Sequence, residues 1–349
     1  MAETVFVKAR ARSYPVVVGE GLDFGRLALE AKGAPCRAAL VSDSNVFPLH
    51  GRAALESLTR SGFEASAYVF EAGEAAKSME GLSLLLGFLA SERLSRSDAV
   101  FALGGGVAGD LAGFAAAAYL RGIGFFQLPT TILAAVDSSV GGKTGVDLPA
   151  GKNMAGAFHP PLGVFCDAAL FATLPKAVRA DGMAEAVKHG MIADAGLLRG
   201  LSSMPDAQMC LRNVRIKAGI VERDEFESGA RMLLNFGHTV GHAVEALSGY
   251  RVPHGSAVAI GMAAMTRACE KAGIADPSCL PALMEALDGL GLPAACPYSA
   301  REIAAAALSD KKRSGGEMTI VAPREPGRAE LVRLPAERLE GFLAPGLEG

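Results

Sequence analysis

The sequence predicts an α/β N-terminal domain with an open parallel sheet, plus a mostly α-helical C-terminal domain. Three observations carry that expectation. Short apolar runs alternate with helical segments through the first half, the pattern of successive βαβ units. One such run ends in Gly104-Gly105-Gly106. From about residue 175 the texture changes to long segments rich in Ala, Leu, Met and Glu.

The elements follow in order. Residues 4–18 hold two short strand-like runs and predict a hairpin. Residues 37–42 (RAALVS) read as a buried strand ending at the polar Asp43. A helix is expected around 48–61, a strand over 65–71 and a helix over 78–90. Residues 98–103 predict the strand that runs into the glycines, and 125–128 one more, leaving through Pro129-Thr130-Thr131. Residues 137–153 have low propensity for helix or strand and read as a loop. Helices are expected at 176–198, 206–223, 231–248, 254–273 and 279–291, and a short strand pair at 317–322 and 328–332. The change of texture divides the chain into an α/β domain, 1–170, and a helical domain, 171–349.

Composition limits the function. At roughly 150 residues per domain, 349 residues make about two domains. Lys plus Arg number 34 and Asp plus Glu 37, a net charge of −3, so neither nucleic acid nor an anionic membrane is expected as partner. The six cysteines, at 36, 166, 210, 269, 279 and 296, include no C-x-x-C pair and fit a reducing compartment. The N-terminus has no uninterrupted apolar stretch of the secretory kind, and Phe101–Leu120 is broken by Asp110. A cytoplasmic enzyme is expected.

The chemistry concentrates in four places. Gly104-Gly105-Gly106-Val107-Ala108-Gly109-Asp110 follows a strand and opens a helix, where bare backbone N–H groups and the helix dipole suit a pyrophosphate. It is not G-x-G-x-x-G, and a close-packed turn would use the same glycines. Glu74 and Lys77 follow another strand; they suit a ribose hydroxyl and a phosphate, or a solvated helix start. Residues 137–153 gather Asp137, Lys143, Lys152, Asn153 and four glycines, which favours a phosphate pocket.

The histidines are the sharpest signal. Asn235, His238 and His242 lie at i, i+3 and i+7, one face of a helix, and His254 follows in Pro253-His254-Gly255. Glu185 stands upstream on another helical segment. Two or three imidazoles with one carboxylate make a catalytic zinc set. Spacing leaves open whether His238 and His242 both ligate. Arg231 sits seven positions before His238, one face along. Lys217, Arg121 and the Lys311-Lys312 pair add cations, which suits a substrate with both phosphate and carboxylate.

The segments GEAAKS (73–78), GGGVAGDLAGF (104–114), RGIGFFQLPTT (121–131), VDSSVGGKT (136–144), GKNMAGAF (151–158), GMAEAVKHG (182–190), LNFGHTVGHAVEA (234–246) and PHGSAV (253–258) together resemble the 3-dehydroquinate synthase family of sugar phosphate cyclases, in its monofunctional bacterial form. The resemblance implies an active site between the two domains. It makes Glu185, His238 and His254 the metal ligands, for zinc or cobalt, and His242 a catalytic histidine. Asp137, Lys143, Lys152, Asn153, Lys188, Lys217, Arg231 and Asn235 match substrate contacts. Arg121 matches an arginine from the neighbouring subunit of a homodimer, and one of Lys311 and Lys312 a phosphate contact. Asp43, Glu74, Lys77, the 105–110 loop (Gly105, Gly106, Val107, Gly109, Asp110), Thr130 and Thr131 match NAD contacts, as do Lys143 and Lys152. Ser256 departs from the family, whose members often carry glutamate there.

The implied reaction closes 3-deoxy-D-arabino-heptulosonate 7-phosphate, a phosphorylated keto-acid sugar, to 3-dehydroquinate and phosphate, with NAD recycled. This is a shikimate-pathway lyase step in aromatic amino acid biosynthesis. Three alternatives stand beside it: a sibling cyclase such as 2-deoxy-scyllo-inosose synthase, a polyol dehydrogenase of the glycerol dehydrogenase type, and a non-catalytic NAD-binding paralogue.

Overall fold

The computed structural model describes residues 2–309 and 316–347. In chain order the elements are β1 (Glu3–Lys8), β2 (Ser13–Gly19), α1 (Phe24–Lys32), β3 (Arg37–Asp43), α2 (Arg52–Arg60), β4 (Glu64–Phe70), α3 (Met79–Ser91), β5 (Ala99–Gly104), α4 (Gly106–Ala118), β6 (Gly124–Pro129), β7 (Lys143–Leu148), β8 (Gly151–Phe158), β9 (Gly163–Asp167), α5 (Lys176–Ala193), α6 (Ala195–Gly200) and α7 (Asp206–Arg223). There follow α8 (His238–Leu247), α9 (His254–Lys271), α10 (Cys279–Gly289), α11 (Ala300–Ser309), β10 (Glu317–Glu325), β11 (Arg328–Pro335) and α12 (Leu339–Leu347).

The chain divides into two compact units. The first is Met1–Pro175 with Asp206–Glu225, and the second Lys176–Pro205 with Phe226–Gly349. Helix α7 lies in the second half of the sequence yet packs in the first unit. Exposed pairs tie it to β1: Lys8 Nζ to Glu222 Oε1 at 2.8 Å and Arg215 Nη2 to Glu3 Oε2 at 2.9 Å.

The first unit is built on a seven-stranded sheet of order β1-β2-β9-β6-β5-β3-β4. All neighbours are parallel except β1, which runs antiparallel to β2. Alternation along β5 shows why both faces are covered. Val100 and Ala102 point into one apolar layer with Leu85, Leu111 and Phe125; Phe101 and Leu103 point into the other with Leu58, Phe126 and Phe165. The connection from β3 goes outward to β4, and the next strand, β5, returns to β3's other side. The strand order therefore reverses between β3 and β5, and the crevice beyond their carboxyl ends is where an open α/β sheet binds ligands. Asp43 and Gly104 stand at those two ends.

Three first-unit elements lie outside the sequence expectation: α1, β9 and the β7–β8 ribbon. The ribbon corrects the reading of 137–153 as a loop without strand. Its pairing puts Gly145 opposite Gly156, and a Cβ at Gly156 would meet the Thr144 carbonyl oxygen at 2.1 Å. Such close backbones suit glycine, whose weak strand propensity hid the ribbon.

The second unit is a helical assembly with the antiparallel pair β10–β11. Helices α8 and α9 pack closely because glycines face each other. A Cβ at Gly261 would sit 2.0 Å from the Gly237 carbonyl oxygen and 2.9 Å from the Gly241 nitrogen. No helix among the described residues is long and apolar enough to cross a membrane.

Backbone rather than a flexible side chain blocks position 261, so the helices must part to admit a methyl group. Gly261→Ala is expected to cost about 2–3 kcal/mol of stability, the upper part of the range for overpacking. Urea unfolding of parent and variant checks this, and equal midpoints would contradict the close approach.

Candidate active site

In the first unit, α4 starts one residue beyond Gly105, with no side-chain cap on its amino end. The first turn of backbone N–H groups is left for another acceptor. A Cβ at Gly106 would meet Ser138 Oγ at 3.5 Å, an ordinary van der Waals contact. In the same unit Ser42 Oγ, Thr130 Oγ1 and Ser139 Oγ are buried with no hydrogen-bond partner among the described residues. Buried hydroxyls ordinarily pair, and three in one unit fit a polar ligand such as a dinucleotide. Asp43 Oδ1 accepts from the Asn45 and Val46 nitrogens, 2.9 Å each. Thr131 Oγ1 accepts from the Ala134 nitrogen at 3.2 Å.

Lys77 is the electrostatic hub of this unit. It is buried, and its ammonium lies 3.1 Å from Glu74 Oε1, 3.4 Å from Asp110 Oδ2, 3.7 Å from Asp147 Oδ1 and 2.8 Å from Asn153 Oδ1. Burial opposes its charge, but Asp110 and Glu74 outweigh burial and raise its pKa. Burial pushes the Asp110 carboxyl up to about 6 despite Lys77. Asp147, which the sequence reading missed, also accepts from the Asn153 nitrogen at 2.7 Å and so holds Asn153 at a left-handed φ of 56°. Lys152 reaches Glu74 Oε1 at 4.0 Å, and Lys143 is exposed at the start of β7. Lys217, buried on α7, forms an ion pair with Asp137. Arg121 is exposed and sits in a run of positive φ: Leu120 at 50°, Arg121 at 68° and Gly122 at 118°.

In the second unit, Glu185 is fully buried on α5. The buried Lys188, one turn along, pairs with it. Two imidazoles converge on its Oε1: His238 Nε2 at 3.7 Å and His254 Nε2 at 3.3 Å. The other ring nitrogens are also engaged, His238 Nδ1 with the Phe236 carbonyl at 3.2 Å and His254 Nδ1 with Glu245 Oε2 at 3.3 Å. Burial, then Lys188, pushes His238 down to about 3, so its ring is neutral. Burial also opposes protonation of His254, but hydrogen bonds to Glu185 and Glu245 and their charges hold it near 10. One oxygen and two imidazole nitrogens within 4.8 Å of one another fit a divalent zinc or cobalt ion with a position left open. His242, exposed, has its ring centroid 5.3 Å from that of His238 and 6.2 Å from that of His254.

Of the helix face expected through Asn235, His238 and His242, only His238 and His242 share a helix, and Arg231 and Asn235 lie before it. Residues 230–235 form a 3₁₀ turn, and Gly237, at φ 81°, breaks the chain before α8 begins at His238. A Cβ there would meet the Val258 carbonyl oxygen at 2.7 Å, so the break is built into the packing of α8 on α9. Arg231 is buried within that turn, and Asn235 Nδ2 donates to Glu227 Oε1 at 2.7 Å. Glu227, Glu245 and Asp181 escaped the sequence reading. Only Glu245 left a spacing signal, seven residues after His238. Asp181 explains Ser256: its Oδ1 accepts from the Ser256 nitrogen at 2.8 Å and hydroxyl at 3.2 Å, capping the first turn of α9. Lys311 and Lys312 lie outside the described residues.

Comparison with known proteins decides the family. The N-terminal 3-dehydroquinate synthase profile matches residues 67–180 and the C-terminal one residues 182–313. The chain belongs to the 3-dehydroquinate synthase family. It is 42% identical to a 3-dehydroquinate synthase of Enterococcus faecalis, over 88% of this chain and 89% of that one. It is 41% identical to that of Caulobacter vibrioides, over 98% of each. Among solved structures it is similar to a 2-epi-5-epi-valiolone synthase from Streptomyces hygroscopicus with NAD+ and Zn2+ bound, at TM-score 0.87 and 27% identity, covering 98% of both chains. An iron-containing alcohol dehydrogenase from Thermotoga maritima, at TM-score 0.65 and 15% identity over 96% of this chain and 98% of that one, shares the fold.

Lys77 yields a pH-dependent expectation. Asp110 titrates near 6 folded against 3.8 unfolded, so its contribution to stability falls as pH rises from about 4 through 6. Without Lys77 the carboxyl moves higher and the fall deepens. Lys77→Met is expected to cost about 2–3 kcal/mol at pH 8, since the acids it leaves are partly exposed, and distinctly less at pH 5. Denaturant melts at the two pH values check this; an equal cost at both would contradict the hub.

Proposed function

We propose that the protein converts 3-deoxy-D-arabino-heptulosonate 7-phosphate to 3-dehydroquinate and phosphate, using NAD that is regenerated in each turnover and a zinc or cobalt ion at Glu185, His238 and His254. The observation that carries this reading is the buried Glu185 carboxylate faced by two imidazole Nε2 atoms, in a chain of this family. Bound NAD would supply reversible hydride transfer at one substrate carbon, and an ion held by Glu185, His238 and His254 would supply polarisation of the oxygen there.

The chain's own residues bind and orient. Arg231, buried and planar, grips the substrate carboxylate with two parallel hydrogen bonds. Asn235 and His242 hydrogen-bond the phosphate, and His242 supplies a proton as it leaves. Lys188 offsets the charge of Glu185. In the first unit Lys143 and Asn153 take phosphate contacts, and Asp137 and Lys217 form a second polar pair for the sugar acid. Asp43, Glu74, Lys77, Lys152, Thr130, Thr131 and the 105–110 loop hold the dinucleotide, with α4's uncapped amino end toward its pyrophosphate.

The same reading makes the protein a cytoplasmic homodimer. Its support is Arg121, held exposed by consecutive positive φ values; strain of that kind marks functional positions. Arg121 then serves the carboxylate of the neighbouring copy.

Phosphate release is the test. With heptulosonate 7-phosphate, the divalent ion and a trace of NAD, many phosphates per NAD are expected and no net NADH. Accumulating NADH would point to a polyol dehydrogenase, and faster turnover of glucose 6-phosphate to a sibling cyclase. Arg231→Ala is expected to lower kcat/KM for the heptulosonate by the equivalent of about 2–5 kcal/mol, the typical cost of losing one partner of a buried charge pair. NAD affinity should stay unchanged.

A further inference from the structure

An imidazole that gives one nitrogen to a metal carries its proton on the other, and what accepts that proton sets the ring's direction. The two imidazoles here solve this differently. His238 turns Nδ1 to the backbone carbonyl of Phe236, two residues away, so the chain itself orients that ring. His254 opens α9, and its Nδ1 faces a side chain instead, Glu245 Oε2 at 3.3 Å.

Glu245 is buried on α8, two turns after His238, so one helix carries the first imidazole and the acceptor for the second. Its backbone is pinned as well. Its carbonyl accepts from Ser248 Oγ and from the Tyr250 nitrogen, 2.8 Å each, and Ser248 Oγ accepts from the Val252 nitrogen at 3.2 Å. The turn leading to His254 is thus fastened to the residue that faces its ring.

We propose that Glu245 is a positioning residue that accepts the Nδ1 hydrogen of His254 and so aims Nε2 at the position faced by Glu185. This rests on the reading of Glu185, His238 and His254 as ligands. A competing role is on the same side chains: His242, Glu245 and His254 also bring ligand atoms within 4.8 Å of one another, which would make Glu245 a ligand of an ion of its own.

Metal binding, read without substrate, separates these roles. Full-length parent, Glu245→Ala and Glu245→Gln are titrated with Zn2+ against a chromophoric chelator, and with Co2+ by its visible absorption. One ion per chain is expected in all three. The Zn2+ dissociation constant should rise 10–100-fold in Glu245→Ala, the usual consequence of removing such a partner, with a changed cobalt band. The rise should be smaller in Glu245→Gln, whose amide oxygen still accepts the Nδ1 hydrogen. Should Glu245→Ala fail to fold, a severalfold rise and shifted band in Glu245→Gln carry the proposal. Unchanged affinity and band in the folded variants would overturn it. So would two ions in the parent and one in the variants, which would make Glu245 a ligand. A parent that binds neither ion would overturn the underlying ligand assignment.

Discussion

A carboxylate with no access to water demands cations, and Glu185 sets that demand at the centre of the second unit. Lys188 answers it with charge from the same helix and His254 from another, while the neutral ring of His238 faces it from a third. Those helices can come so near only because Gly237, Gly255 and Gly261 lack side chains; a Cβ at Gly255 would lie 1.9 Å from the Asp181 carbonyl oxygen. The glycines thus serve the carboxylate as much as the fold. The titration behaviour expresses the same demand: His254 keeps a proton to about 10 because Glu185 and Glu245 flank it, although burial opposes that charge. A divalent ion would satisfy Glu185 in place of that proton.

The first unit solves a mirror problem, a buried cation among acids. Lys77 gathers Glu74, Asp110 and Asp147 and through Asn153 reaches the ribbon. Glu74 is exposed and Asp110 and Asp147 are partly buried, so the charge of the cluster stays within reach of water. Those ends coincide with the point where the strand order reverses, so topology and electrostatics mark the same crevice.

Much of this was legible in the sequence. Strands β3, β5 and β6 announced themselves as apolar runs, because burial on both faces leaves little polar to interrupt them, and β4, at the sheet edge and only half-buried, showed as a shorter run closed by turn residues. Helices α5, α7, α9 and α10 showed as long periodic segments. The β7–β8 ribbon did not, because its pairing relies on glycines that no strand propensity rewards. The histidines were visible as a cluster, but their helix was drawn too long: nothing local says that Gly237 is left-handed, a conformation imposed by α9 across the contact. Glu227, Asp147 and Asp181 stayed hidden for a related reason. Each matters through a partner brought close only by the fold, and single acids in polar stretches read as solvated surface.

The most direct test of the central claim, that Glu185 with His238 and His254 forms a divalent-ion site, is the location of the ion itself. Crystals of the protein grown with Zn2+, measured on either side of the zinc absorption edge, should give one dominant anomalous peak in each chain. The account predicts that peak about 2.0–2.2 Å from a Glu185 oxygen and from Nε2 of both His238 and His254. A dominant peak elsewhere, or one that touches Nδ1 of His254 and the Glu245 carboxylate instead, would contradict it.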